Sequence, residues 1–381
     1  MDRMDFLLTD DQRELRNLVR SFMQDEVKPH IAEYDESGEF PVEIYQKAFD
    51  LGFHALHIPE EYGGSGLDFT TMGILLEEMG RTDSGFALTM LATGTPIEMV
   101  LRAGTDEQKK RMSDLVIAGG FAALGLTEPN CGSDAAALRS TYRIEGDTVV
   151  LNGTKTFVTN AQEACLFLMC ATKDRSLGSK GITAFMLERD TPGLIIGKHE
   201  NKMGLRLSNT CDVVMEDVRV PISAMVGPEG KGLSIAMGAL DPGRLYNAAI
   251  ATGICQAALD ESVAYAKVRT SYGKPLIEHQ AMQVLLADMA IKTEASRQLV
   301  RYGMARLDAG LNATKEASMA KTFASDSAVQ VTTDAVQVFG GYGYSKEYPV
   351  EKMMRDSKIF QIFEGTNQIQ RLTIAKQMAK E

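Results

Sequence analysis

The spacing of apolar residues changes twice along this chain, and that change constrains the fold more than any single motif. From residue 9 to about 116 apolar side chains recur every three to four positions, as over 69–79 and 106–116. Thr9 is placed to cap a first helix opening with Asp10-Asp11-Gln12-Arg13-Glu14. Between residue 121 and about 220 the period falls toward two. Thr141-Tyr142-Arg143-Ile144, the turn Glu145-Gly146-Asp147 and Thr148-Val149-Val150-Leu151 read as a hairpin, with further strands expected at 166–169, 182–186 and 213–215. Helical spacing returns from residue 233, over 248–268, 280–307 and 318–339. A sequence with the helical period does not hold as a strand, nor the reverse. The expected class is therefore α+β and mostly α: a helical domain over 1–120, a middle β domain over 121–230 and a C-terminal helical bundle over 231–381.

The remaining sequence-wide features narrow the function. A chain of 381 residues is too long for one ordinary core, so two or three packed units are expected. The net charge of -11 argues against a nucleic-acid partner, which needs a basic face. Cys131, Cys165, Cys170, Cys211 and Cys255 form no CxxC pair, which fits reduced, buried thiols better than disulfides or a zinc site. His30, His54, His57, His199 and His279 are scattered, so no metal is expected. The acidic Met1-Asp2-Arg3-Met4-Asp5-Phe6 resembles neither a signal nor a transit peptide, and no apolar run is long enough for a bilayer. A cytoplasmic protein without a membrane partner is the reading.

One acidic residue stands out near the end of the chain. In Ile362-Phe363-Glu364-Gly365-Thr366 the carboxyl of Glu364 has apolar neighbours and is expected to lose solvent, which raises its pKa and strengthens it as a base near neutral pH. Gly365 lets a ligand approach the backbone closely. The same pattern also suits a surface acid in a loop before a helix. No GxGxxG follows a strand and opens a helix, and Gly227-Pro228-Glu229-Gly230-Lys231-Gly232 has the wrong spacing for a phosphate loop, so it is read as a turn.

Six separated segments, taken in order, carry more than any one of them. They are Ile58-Pro59-Glu60-Glu61-Tyr62-Gly63-Gly64, Leu126-Thr127-Glu128-Pro129-Asn130-Cys131-Gly132-Ser133-Asp134, Asn152-Gly153-Thr154-Lys155-Thr156-Phe157-Val158-Thr159-Asn160, Arg269-Thr270-Ser271-Tyr272-Gly273-Lys274, Gln337-Val338-Phe339-Gly340-Gly341-Tyr342-Gly343-Tyr344, and the Glu364 segment. Together they resemble the acyl-CoA dehydrogenase family over essentially the whole chain. The resemblance implies a helical domain, a β-barrel or sandwich domain and a four-helix bundle, with FAD as cofactor. Leu126, Thr127 and Ser133 are implied flavin contacts, Thr127 at the pyrimidine edge and Ser133 in the phosphate region, where it also meets substrate. Phe157 stands where the family commonly has tryptophan against the isoalloxazine, and Val158 and Thr159 follow it with a hydroxyl near the reactive nitrogen. Arg269, Tyr272 and Gln280, with Gln337, Val338, Gly340 and Gly341, are implied contacts to the pyrophosphate and adenosine of a neighbouring subunit's flavin. Arg269 and Lys274 would equally suit solvated charges, and the glycines after Phe339 a helix stop. Thr366 and Gln368 complete the implied flavin set.

The resemblance also implies a reaction. Asp241-Pro242-Gly243-Arg244 is read as opening a long helix, with Asp241 and Arg244 on the pantetheine of an acyl-CoA and Gly365 at the substrate, although an aspartate there is also an ordinary cap. Glu364 would remove an α-proton while the β-hydrogen leaves as hydride to the flavin, the Glu364 N–H and a ribityl hydroxyl holding the thioester oxygen. Electron-transferring flavoprotein is the implied electron partner and a homotetramer, a dimer of dimers, the implied assembly. Phe363 departs from the family's usual tyrosine. Leu88, Met90, Leu91, Tyr246 and Asn247 are expected to line a short acyl pocket, which favours a short-chain acyl-CoA. The polarity of Tyr246 and Asn247 keeps a polar, branched or cyclic short acyl group open, as is the direction of enoyl-CoA reduction. An oxidase-type relative is a further alternative, and Glu364-Gly365-Thr366 argues against a binding protein that has lost catalysis.

Overall fold

The computed structural model describes residues 7–380, so the acidic segment Met1–Phe6 lies outside the described residues. Six helices come first: α1 Asp10–Phe22, α2 Ile31–Ser37, α3 Val42–Asp50, α4 Phe69–Thr82, α5 Ser84–Ala103 and α6 Asp106–Ile117. Thr9 caps α1 through a reciprocal pair of bonds with Gln12, which satisfies amides that the first turn cannot. Strands then run from residue 121 to 226: β1 Phe121–Gly125, β2 Thr141–Glu145, β3 Thr148–Thr159, β4 Ala164–Thr172, β5 Ile182–Glu188, β6 Leu194–His199, β7 Thr210–Pro221 and β8 Met225–Val226. The C-terminal helices are α7 Gly232–Val268, α8 Gln280–Asp308, α9 Thr314–Phe339, α10 Val350–Ser357 and α11 Asn367–Met378.

The strands form one sheet that forks at β4. The path β6-β7-β3-β2 meets β4 only through Thr141 and Thr172, while residues 164–169 of the same strand pair with β1 in parallel and its other edge carries β5 and β8. The sheet is thus an open sandwich rather than a closed barrel, ending in β6 and β8. Its inner face shares a core with the N-terminal helices. The Tyr45 ring stacks on Phe86 at 4.8 Å and meets Phe121 edge-on at 5.6 Å, and its hydroxyl donates to Leu207 O.

Helix α7 is the axis of the molecule, with α4, α5, α8 and α9 against it. At the α4 crossing the backbones touch: a Cβ on Gly253 would lie 2.2 Å from Glu77 O. The expected helix start at Asp241 is corrected here, because α7 begins at Gly232 and carries Asp241 and Pro242 in its interior. Asp241 is therefore no N-cap. It accepts from the Arg244 Nη1 at 2.6 Å and from the Thr314 hydroxyl at 2.6 Å. Proline costs a helix interior one hydrogen bond and a clash, and burial of this helix on four sides overrides that preference. A second interior proline, Pro96, sits in α5.

Candidate active site

The two prolines mark where α5 and α7 face one carboxylate. A Cβ built on Gly243, next to Pro242, would lie 3.6 Å from Glu364 Oε2 and 3.8 Å from the hydroxyl of Thr95, next to Pro96. The absence of a side chain at Gly243 leaves open the space that a methyl group in ordinary contact with the carboxylate would fill. Glu364 Oε2 is out of solvent and has no hydrogen-bond partner among the described residues. Burial pushes the Glu364 pKa up, against the opposing pull of Arg244 and Lys321. The expected source of that burial is corrected in part: Ile362 is half exposed, and Phe363 turns its ring edge-on to Phe360 at 5.0 Å. The helices, more than the sequence neighbours, remove the water.

The backbone that carries Glu364 is strained and tied down. Glu364 has φ of 55° and Gly365 of 87°, a left-handed pair that costs about 1 kcal/mol at the non-glycine residue. Lys321 Nζ donates to Gly365 O at 2.8 Å and to Asn367 Oδ1 at 2.9 Å, and Gln370 Nε2 donates to Glu364 O at 2.9 Å. Thr366 caps α11 by accepting from Ile369 N. The Glu364 N–H donates no backbone hydrogen bond among the described residues. A free acceptor and a free donor thus belong to one residue. Lys321 is buried, and desolvation brings its pKa down to about 8 although Glu364 opposes the shift. Sequence reasoning missed Lys321, Gln370, Thr95 and Gly243. A single lysine among Ala317, Ala320, Ala324 and Ala328 on one face of α9 was the available signal for the first.

Arg244 is buried one residue beyond Gly243, with its Nε unpartnered. Asn247 is buried as well and spends its amide on Gly243 O, along the helix. Of the residues expected around an acyl group, Met90, Leu91 and Tyr246 line one enclosed gap, whereas Leu88 and Asn247 do not.

The sheet presents a second set of residues. The Thr156 N–H donates to Thr127 O at 2.9 Å, which holds the Leu126–Thr127 loop against β3. A bulge between Lys155 and Val158 gives Phe157 a φ of 55° and leaves it 64% exposed, its ring outside the sheet core. Val158 is buried opposite Cys211, Thr159 pairs with Thr210, and Ser133 is exposed in its loop. The strand end reaches the helices through Asn160 Nδ2, which donates to Thr89 O and the Thr93 hydroxyl, two residues before Thr95 on α5.

A third set lies at the other end of α7. Arg269, Gln337, Val338, Gly340 and Gly341 line one cleft of about 540 Å³, with the Arg269 guanidinium 5.6 Å from the Tyr342 ring. Tyr272 and Gln280 are exposed beside it and outside its lining. No hydrogen bond among the described residues joins this cleft to the Thr127 and Phe157 loops. An exposed aromatic face, unspent hydroxyls and amides, and a cleft with an arginine and open glycines suit a ring system joined to a pyrophosphate and a nucleoside, so the residues fit FAD. Gln368 is exposed at the start of α11. No group of acidic, His or Cys side chains among the described residues could hold a metal.

Comparison with known proteins gives the same picture over the whole length. Profiles described as the acyl-CoA dehydrogenase N-terminal, middle and C-terminal domains match residues 9–120, 123–218 and 230–379. A short-chain specific acyl-CoA dehydrogenase of Clostridium acetobutylicum is 43% identical over 98% of this chain and 99% of its own. The structure of butyryl-CoA dehydrogenase from Megasphaera elsdenii superposes with a TM-score of 0.96 at 42% identity, covering 99% of this chain and 100% of that one. A chain in a structure of the electron-transferring flavoprotein of Acidaminococcus fermentans does so with a TM-score of 0.97 at 40% identity, with coverage of 99% and 100%.

Proposed function

The chain belongs to the acyl-CoA dehydrogenase family, an FAD-dependent family of oxidoreductases, and from that premise we propose that it dehydrogenates a short-chain acyl-CoA at Cα–Cβ to the trans-2-enoyl-CoA, with Glu364 as the base. The observation that carries this reading is the Glu364 carboxylate, buried, without a partner at Oε2 and facing the gap left by Gly243. A carboxylate so poised takes the α-proton without first breaking a hydrogen bond. The unspent Glu364 N–H supports a role as donor to the thioester oxygen, where charge develops as that proton leaves. Lys321 and Gln370 fix the peptide that holds both groups.

Arg244, with its free Nε, and Asp241 serve the pantetheine in this reading, and Gly365 borders the substrate. Leu126, Thr127, Ser133, Phe157, Val158, Thr159, Thr366 and Gln368 hold the flavin half of FAD. When bound, FAD supplies the two-electron acceptor for the β-hydrogen. Arg269, Tyr272, Gln280 and residues 337–341 take the nucleotide half of a neighbouring copy's FAD, which makes the working enzyme an oligomer, in this reading the homotetramer of the family. Similarity to the Acidaminococcus chain supports electron-transferring flavoprotein as the partner. No helix among the described residues is long and apolar enough to cross a membrane, which agrees with a cytoplasmic enzyme.

Anaerobic titration of the purified protein with saturated acyl-CoA thioesters tests the proposal. Bleaching of the flavin by butyryl-CoA and not by palmitoyl-CoA is expected. A flavin that no saturated thioester bleaches would overturn the oxidative direction and point to enoyl-CoA reduction.

A further inference from the structure

The gap lined by Met90, Leu91, Gly94 and Tyr246 also carries His57. Its position relative to Glu364 follows from helix periodicity. Leu91 and Thr95 are four apart on α5, and Gly243 and Tyr246 three apart on α7, so each pair shares a helix face. A Cβ on Gly243 would lie within 4 Å of both the Glu364 carboxylate and the Thr95 hydroxyl, and Leu91 and Tyr246 line the gap. The gap therefore lies one helical turn, about 5.4 Å, along the same two faces from the base. That is where the far end of a short acyl group would reach.

The chemistry of the gap is mixed. Met72, Met90 and Leu91 make apolar walls, yet His57 Nε2 is out of solvent, beside the Gly94 backbone, and has no side-chain hydrogen-bond partner among the described residues. Tyr246 is 92% buried, and burial together with the carboxylates of Glu98, Asp308 and Asp68 pushes its hydroxyl pKa up. The gap measures about 20 Å³, enough for one water-sized group and too small for a further alkyl segment. An apolar terminus would leave the imidazole nitrogen unsatisfied, whereas a hydroxyl or carbonyl oxygen would satisfy it. Burial takes the His57 pKa down to about 4, so the ring is neutral, and no lysine or arginine lines the gap to receive a carboxylate.

Resting on the acyl-CoA reading above, we infer that the enzyme prefers a short acyl group ending in a neutral hydrogen-bonding group, seated against His57 with Tyr246 as the second wall. His57 and Tyr246 are thus specificity-determining residues for the reaction.

Steady-state kinetics with an artificial acceptor tests this on the holoenzyme, using valeryl-CoA, 4-hydroxybutyryl-CoA, which replaces its terminal methyl by hydroxyl, and glutaryl-CoA. The expected result is kcat/KM about tenfold higher for the hydroxyl thioester than for valeryl-CoA, with glutaryl-CoA the poorest. In His57→Leu the hydroxyl preference should vanish or reverse while the flavin content stays that of the parent. Equal turnover of valeryl-CoA and 4-hydroxybutyryl-CoA by the parent enzyme overturns the inference and leaves the dehydrogenase reading intact. Reduction of the flavin by none of the three overturns the dehydrogenase reading itself. The parent comparison stands even if the variant fails to fold.

Discussion

Glu128 and Glu364 each bring a carboxylate oxygen out of solvent near a buried lysine, and they are held in opposite states. Glu128 accepts from Lys155 Nζ at 2.7 Å, from Ser140 N at 2.9 Å and from Arg139 N at 2.5 Å, so both oxygens are satisfied. Burial alone would lift its pKa, but Lys155 and these donors together hold it below the ordinary carboxylate range. Glu364 has Lys321 nearby, but that ammonium is spent on Gly365 O and Asn367 Oδ1, and burial lifts the carboxyl pKa. The difference shows that composition does not separate a structural acid from a reactive one. What separates them is whether the lone pairs are already occupied.

The largest effect that would break this comparison is on turnover. Glu364→Gln should lower kcat by about 10³-fold with flavin still bound, measured by stopped-flow bleaching with butyryl-CoA. Unchanged bleaching would place the base elsewhere. Lys155→Met should act on the fold instead, because it strands Glu128 without its cation. A loss of about 3 to 5 kcal/mol in denaturant unfolding is expected, and a loss below about 1 kcal/mol would make the pair dispensable.

Smaller effects sharpen the contrast through pH. Lys321 opposes the rise of the Glu364 pKa, so Lys321→Met should move the acidic limb of the kcat/KM profile to higher pH, by up to about one unit. A limb that stays in place would show that the lysine only positions the loop. Stability should respond in opposite directions at the two sites. The contribution of Glu128, with its lowered pKa, is present above the ordinary carboxylate range and drains as pH falls through that lowered value. The contribution of Glu364, with its raised pKa, is present in acid and is lost as pH rises through the raised value. Glu364→Gln should therefore raise Tm at pH 8 and leave it nearly unchanged at pH 4, in thermal melts followed by circular dichroism. Equal shifts at both pH values would mean that the carboxylate is not ionising in the fold.

The last and smallest test concerns the exposed ring. Phe157→Ala removes only one face of contact, so flavin affinity should fall about tenfold in a reconstitution titration, with the sheet intact.

Much of this was legible before any coordinates. The switch from helical to alternating periodicity and back dictated helices, strands and helices in that order, because side-chain direction follows the period. Thr9 was legible as a helix cap, and Glu145-Gly146-Asp147 as a turn. Glu364 was legible as an acid with apolar neighbours and a glycine after it. Its poise was not, since that rests on Gly243 and Thr95, which lie far away in sequence. Asp241 misled because Asp-Pro is a common helix start, and only the packing of α7 against four helices carries the chain through that proline. His57 is one of five scattered histidines in the sequence, and nothing local marks the surroundings of its ring.

By itself, then, the sequence determined which segments are helix and strand and which residue types are candidates for chemistry, because periodicity and residue type act over a few positions. Only the tertiary structure decided which lone pairs stay free. A hydrogen bond forms or fails according to what the fold brings within about 3 Å, and the groups that decide it, Lys155 beside Glu128 and Gly243 beside Glu364, lie elsewhere along the chain.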